Sequence, residues 1–344
     1  MADADIIPID PRARSIGRAV VKVRCRASTS SGRPCRNYAV AGDDFCRVHG
    51  GVEVVAEEHR SPDGVDPFSS LEPDWRRFIS RRMSGDYPID DFGFDEHLFR
   101  AVLLPLMQPL YERWFRVGAV GLEHLPSAGP VLLVANHSGT IPLDALMMQY
   151  AVATEHPARR VIRNIGADLV WALPFLGALA RKSGTAVACD GDAIELLRRG
   201  ECVGVFPEGF KGVGKGWRER YRLQRFGRGG FIEIALRTQT PVVPVAIIGA
   251  EEAYPMIGDI KPLARALGFP YFPVTPTWPL LGPVGAVPFP SKWNIEFGPP
   301  IAMDDYPEDA AEDAMLVFDL TDAVRDTIQQ MLFRNLSSRR SAFF

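Results

Sequence analysis

Residues 131–144 read Val131-Leu132-Leu133-Val134-Ala135-Asn136-His137-Ser138-Gly139-Thr140-Ile141-Pro142-Leu143-Asp144, and the change of character inside this stretch decides the fold. Five consecutive apolar residues bounded by turn signals predict a strand. A polar, turn-rich link follows, then an apolar helical candidate from Leu143 to Val152. Four more runs of strand length are bounded by turn signals: Arg160 to Ile165, Val203 to Phe206, Val242 to Ile248 and Trp293 to Phe297. Helical candidates Asp192 to Arg199 and Gly230 to Arg237 lie between them, so the chain is predicted to be α/β, with helices packed on a mixed sheet. Between Glu308 and Arg334, Met315, Phe318, Val324, Ile328, Met331 and Leu332 fall at helical spacing and predict a closing amphipathic helix.

The chain has 344 residues, enough for one large domain and a small appendage, and 47% hydrophobic residues supply a real core. With 39 basic against 42 acidic residues, no overall field marks it as a nucleic-acid or anionic-surface binder, so local clusters must carry any such reading. No apolar run reaches the 18 or so residues of a spanning helix, and Met1-Ala2-Asp3-Ala4-Asp5 lacks the order of a secretory signal. A cytoplasmic, non-spanning protein is expected. Four regions are read: a loose tail over 1–20, a Cys/His module over 21–50, an acidic linker over 51–75 and the main domain over 76–344. From His97 to Arg116 an apolar stretch ending in aromatic and basic residues is interrupted by Pro105 and Pro109, which predicts a pair of short helices packed on the core or on a membrane surface.

His137 stands at the mouth of the first strand, where loops commonly present catalytic groups. An imidazole titrating near neutrality accepts a proton from an alcohol, and a carboxylate on its far nitrogen fixes the tautomer and stabilises the imidazolium. Asp144 is near enough in sequence to be that carboxylate; the alternative is a satisfied core histidine with Asp144 capping a helix. A second chemical run, Phe206-Pro207-Glu208-Gly209-Phe210-Lys211, follows a strand, and Val243-Pro244-Val245 follows some thirty residues later.

Taken in order, these blocks resemble the glycerolipid acyltransferases, the family that includes 1-acylglycerol-3-phosphate acyltransferase. The blocks are Asn136-His137…Asp144, Phe175-Leu176-Gly177-Ala178-Leu179-Ala180-Arg181 running into Gly184-Thr185-Ala186-Val187, Phe206-Pro207-Glu208-Gly209, and Val243-Pro244-Val245. Gly121-Leu122-Glu123-His124-Leu125-Pro126 is similar to the family's entry hairpin, and the likeness covers about residues 115 to 302. Six residues separate His137 from Asp144 where the usual pattern has four; Gly139-Thr140-Ile141-Pro142-Leu143-Asp144 looks like the longer loop of diacylglycerol-type acyltransferases. Phe210-Lys211 replaces the common Thr-Arg, exchanging a bidentate guanidinium for a point charge. The resemblance implies acyl transfer from acyl-CoA or acyl carrier protein to a hydroxyl of a glycerolipid, lysophosphatidate or diacylglycerol, at the inner face of the cell membrane. His137 and Asp144 would be catalytic, with substrate contacts from Glu208, Gly209, Lys211 and Arg181; Glu208 would bind the glycerol or brace its loop.

Two stretches add to the expected surface. Lys211 to Arg228 holds seven basic residues against one acid, with Trp217, Tyr221 and Phe226 interleaved; it could hold the phosphates of coenzyme A, an anionic headgroup or a nucleic acid, or be a solvated loop. Phe269 to Pro290, rich in proline and aromatics, cannot be a regular helix and would line an acyl-chain groove, dip into a bilayer or form a rigid buried loop. Near the N-terminus, Cys25, Cys35, Cys46 and His49 supply the donor set of a closed tetrahedral zinc site, and their spacing resembles the plant WRC module. That module keeps open a rival reading, a zinc-dependent nucleic-acid or protein-binding factor with a non-catalytic domain; for the enzyme itself no nucleic-acid partner is expected. Cys189 and Cys202 are expected to be reduced thiols in apolar surroundings.

Overall fold

The computed structural model describes residues 75–85, 87–139, 141–172, 175–339 and 341–343. Cys25, Cys35, Cys46 and His49, with the tail and linker, lie outside the described residues. Among the described residues no His, Cys, Asp or Glu cluster could hold a metal ion, and no helix is long and apolar enough to cross a membrane.

Seven strands form the main sheet: β1 (Gly118–Val120), β2 (Val131–Ala135), β3 (Ile162–Gly166), β4 (Ala186–Val187), β5 (Cys202–Val205), β6 (Val242–Ile248) and, after the small hairpin pair β7 (Gly258–Asp259) and β8 (Pro273–Val274), β9 (Asn294–Phe297). Their order is β1-β9-β6-β2-β5-β3-β4. All neighbours are parallel except β6 and β9. The sheet is thus mixed and flanked by helices, as the alternating pattern implies.

Every residue of β2 and β6 is buried. Alternate side chains feed two separate cores, as the period of two along a strand requires. Leu132, Val134, Val203, Ala246 and Ile248 pack against residues of the helices Asp190–Arg198, Gly230–Arg237 and Ala314–Ser338. Val131, Leu133, Ala135, Val243, Val245 and Ile247 pack with the helix Leu143–Glu155 and with Phe99, Tyr111 and Phe115. The closing helix therefore seals one face and the segment around Pro105 the other.

That segment differs from the expected pair of short helices. It is one continuous helical run from Glu96 to Trp114, in which Phe99–Leu103 and Leu110–Trp114 take the wider π pattern. Phe115 N–H donates to Leu110 O at 2.8 Å. Pro105 and Pro109 have no N–H to donate, and wider turns on either side accommodate them without ending the helix. Cys202 is buried, which pushes its thiol up to about 12. Cys189 corrects the expectation of apolar surroundings: it is exposed and caps the helix Asp190–Arg198, its sulfur accepting from Asp192 N–H.

Beyond the last paired residues of β2 and β6 one side chain continues the ladder. Asn136, fully buried, accepts from Ile247 N–H at 2.7 Å and donates to Ile247 O at 3.0 Å. It locks the carboxyl ends of two neighbouring strands together just before His137. Asn136→Ala strands both groups of Ile247 in a dry environment and is expected to lower unfolding stability by about 2–4 kcal/mol, read by urea or thermal unfolding.

Candidate active site

Three adjacent parallel strands, β5, β2 and β6, end side by side. The segments that leave their carboxyl ends carry Glu208, His137 and Glu251 respectively. Open α/β sheets place ligands at such ends, because the loops there diverge and leave room.

His137 Nδ1 lies 2.7 Å from Asp144 Oδ2. Asp144 is fully buried, and its carboxylate also accepts from Ser138 N–H at 2.9 Å and Ala145 N–H at 2.8 Å. A carboxylate only accepts, so Nδ1 carries the proton in the neutral imidazole and the Nε2 lone pair is free. Nε2 has no hydrogen-bond partner among the described residues, and the side chain is 17% exposed. The longer loop still closes the dyad: Gly139 takes a positive φ of 80°, Leu143 N–H returns to Ile141 O at 2.7 Å, and Asp144 sits in the first turn of the helix Leu143–Glu155. The Phe206 ring packs on the imidazole with centroids 4.6 Å apart, limiting its rotation.

Glu208 is buried and holds its partner loops rather than facing solvent. Its Oε1 accepts from His137 N–H at 2.9 Å, and its Oε2 accepts from Gln224 N–H at 2.7 Å. Lys215 Nζ bridges Glu208 Oε2 at 3.2 Å and Glu251 Oε1 at 3.1 Å. Both oxygens are thereby engaged inside the protein, an arrangement that fits bracing the loop. Gly209 has φ 52° and ψ −141°, a conformation suited to glycine. Gly212 is held tighter still: a Cβ there would stand 2.7 Å from Glu208 Cβ and 2.9 Å from His137 O.

Within the cluster, burial pushes the Glu251 carboxyl up to about 7 although Lys215 pulls it down. Burial works against the Lys215 ammonium, but Glu251 and Glu208 outweigh it and hold it above its ordinary value. Lys215 is thus no phosphate ligand, contrary to its place in the basic run; it neutralises two buried acids. Lys211 is exposed on the short helix Phe210–Val213. Arg181 is not brought to the dyad: it lies on the helix Leu176–Lys182, its side chain against Gly93 and over the Trp171 ring at 5.2 Å. A recess beside the dyad is lined by Gly139, Gly212, Lys215, Arg220, Tyr254 and Met256. Arg220 also borders a groove of about 350 Å³ shared with Arg218, Arg222 and Phe333.

Residues 116–248 match the family model described as Acyltransferase. An uncharacterised protein of Mycobacterium tuberculosis is 54% identical over 267 residues, covering 78% of this chain and 75% of that one. Over residues 116–248 the chain is similar to the acyltransferase family. A chloroplastic 1-acyl-sn-glycerol-3-phosphate acyltransferase of Brassica napus is 27% identical over 150 residues, 41% of this chain and 40% of that one. The crystal structure of the 1-acyl-sn-glycerophosphate acyltransferase PlsC from Thermotoga maritima aligns with a TM-score of 0.45 and 20% identity, over 78% of this chain and 90% of that one.

Sequence reading missed the support around the dyad. Gln329 accepts from Leu223 N–H and donates to Tyr221 O, while Arg325 donates to the carbonyls of Leu223 and Gln224. The closing helix thereby fixes the segment whose Gln224 N–H meets Glu208. No local pattern announces such a role, since Arg325 and Gln329 look like an ordinary solvated helix face.

Glu208→Ala removes a partner of buried Lys215 and leaves His137 N–H unpaired; a loss on the order of 3 kcal/mol is expected in chemical unfolding. Glu251 has its pH effect between about 4.5 and about 7. A carboxyl raised in the folded state retains a proton that the unfolded chain has released, so its contribution to stability falls as pH rises through that window. Glu251→Gln does not titrate; its melting temperature relative to the unsubstituted protein is expected to climb from about pH 5 to about pH 8.

Proposed function

We propose that this chain is an O-acyltransferase that moves a fatty acyl group from acyl-CoA or acyl carrier protein to a hydroxyl of a glycerolipid such as lysophosphatidate or diacylglycerol, at the cytoplasmic face of the membrane. The observation that carries it is the Nδ1 to Asp144 bond of 2.7 Å, which leaves Nε2 unpartnered and able to act as a base. The name of the Brassica relative supports the glycerolipid acceptor.

In this reading the acceptor hydroxyl oxygen attacks the thioester carbonyl while His137 Nε2 takes its proton. The new C–O bond forms, the C–S bond breaks, and the imidazolium returns the proton to the departing sulfur. Asp144 stabilises the imidazolium and keeps the ring in one tautomer. Glu208, through His137 N–H, fixes the backbone from which the ring hangs. Arg218, Arg220 and Arg222, exposed around the groove, suit the phosphates of the donor nucleotide, and exposed Lys211 would meet a phosphorylated acceptor as a point charge.

His137→Ala is expected to lower turnover by about 10²- to 10⁴-fold in an acyl-CoA release assay with a panel of phosphorylated and neutral acceptors, with thermal unfolding unchanged. Equal activity of the two proteins would overturn the mechanism. Arg220→Ala with Arg222→Ala is expected to raise KM for acyl-CoA by about thirtyfold or more while sparing a short thioester that lacks the nucleotide, each lost charge-assisted contact costing roughly 1 kcal/mol or more.

A further inference from the structure

The connection between β6 and β9 forms a lobe with its own internal ties. Strands β7 and β8 pair within it, Thr277 Oγ1 donates to Gly285 O at 3.1 Å, and Tyr254 Oη donates to Ala286 O at 2.9 Å. Phe289 N–H returns to Ala253 O. Aliphatic side chains on this lobe are nevertheless left in solvent: Leu280 is 84% exposed, Val284 69% and Ile257 63%, with Leu281, Val287 and Leu267 each more than half exposed. Single exposed aliphatics are ordinary on a protein surface, but a concentration of them marks a contact site. The stretch is therefore not the rigid buried loop that its prolines allowed.

Exposed charge on the lobe is mainly basic: Lys261, Arg265 and Lys292 face solvent against one exposed acid, Asp259, while Glu251 and Glu252 are buried. From Ile260 to Ile295 there is no Asp or Glu, while Lys261, Arg265 and Lys292 are present, in a chain whose net charge is −3. Lys261 and Arg265 lie on the helix Lys261–Leu267 and are exposed beside Leu263 and Leu267. Partly buried Trp278 and Phe272 pack with ring centroids 6.0 Å apart, the amphipathic aromatic content that suits a lipid headgroup layer.

The lobe also borders the site. Tyr254 lies against Gly139, the Tyr271 ring lies against Gly214, and Trp217 N–H donates to Met256 O at 2.8 Å. Tyr254 and Met256 form one wall of the recess beside His137.

We propose that the lobe is the surface by which the protein seats on an anionic lipid bilayer, its aliphatics entering the headgroup boundary and its lysines and arginine meeting lipid phosphates. Exposed apolar groups supply affinity, and an excess of basic over acidic residues in solvent supplies the preference for negative lipid. The inference rests on the acyl-transfer reading only for its purpose: a bilayer held there lies against the wall of the recess where a lipid hydroxyl would have to arrive.

The test is flotation of the full chain with vesicles of phosphatidylcholine, alone or mixed with phosphatidylglycerol, beside L280D/V284D and K261E/R265E. The unsubstituted protein is expected to bind the mixed vesicles, and L280D/V284D to bind them at least about tenfold more weakly. K261E/R265E is expected to lose the preference for mixed over neutral vesicles. Both altered pairs are solvent-facing, so circular dichroism and melting should not change, and acyl transfer to a monomeric, water-soluble alcohol should persist in L280D/V284D. Equal vesicle binding by all three proteins sinks the proposal, as does a self-associated wild type that L280D/V284D converts to monomer with vesicle binding unaltered. Absence of transfer to the soluble alcohol in every protein, with the vesicle results as expected, would count against the enzyme reading and leave the lipid surface standing.

Discussion

A single buried carboxylate ties the functional end of this molecule together. Glu208 accepts N–H groups from His137 and Gln224 and faces the Lys215 ammonium, so β5 is bound chemically to the segment leaving β2 and to the chain that runs back from the basic loop. Removing charge from water is costly, and it is tolerated here only because Glu208, Lys215 and Glu251 share it while backbone N–H groups complete the carboxylates' coordination. The arrangement fixes the placement of the His137 backbone.

The closing helix Ala314–Ser338 has a second task besides covering one face of the sheet. Through Gln329 and Arg325 it fixes residues 221–224, and beyond its end Arg339 pairs with Glu252, which Tyr221 Oη also contacts. Packing and positioning are thus coupled: a helix whose apolar side fills the core presents polar groups at its edge to the loop behind the dyad. Such coupling is to be expected where a catalytic group sits on a loop, because loops have few internal constraints and borrow rigidity from what they touch.

Much of the scaffold was legible from sequence because burial leaves a periodic trace. The unbroken apolar runs of β2 and β6 have the boundaries read from composition alone, as does the helix Gly230–Arg237. The three-residue β1 and two-residue β4 are too short to carry a period. The run from Glu96 to Trp114 was read as broken because proline forbids one hydrogen bond; that the helix continues in a wider pattern depends on packing of Phe99, Tyr111 and Phe115 beneath the sheet. Lys215 and Arg218 look equivalent in the sequence, yet one is buried between two acids and the other lines an open groove.

By itself, the sequence determined the alternation of strands and helices, the candidate base and its carboxylate, and the glycines that let a loop approach them, because each depends on residue type and short-range spacing. The tertiary structure alone decided that Glu208 meets the His137 and Gln224 N–H groups, that Lys215 is withdrawn from solvent, that Arg181 stacks over Trp171, and that Leu280 and Val284 remain exposed. Those outcomes depend on which distant segments meet: Gln224 with Glu208, Glu251 with Lys215 and Tyr254 with Gly139, contacts that local propensity does not encode and only the closed sheet with its covering helices imposes.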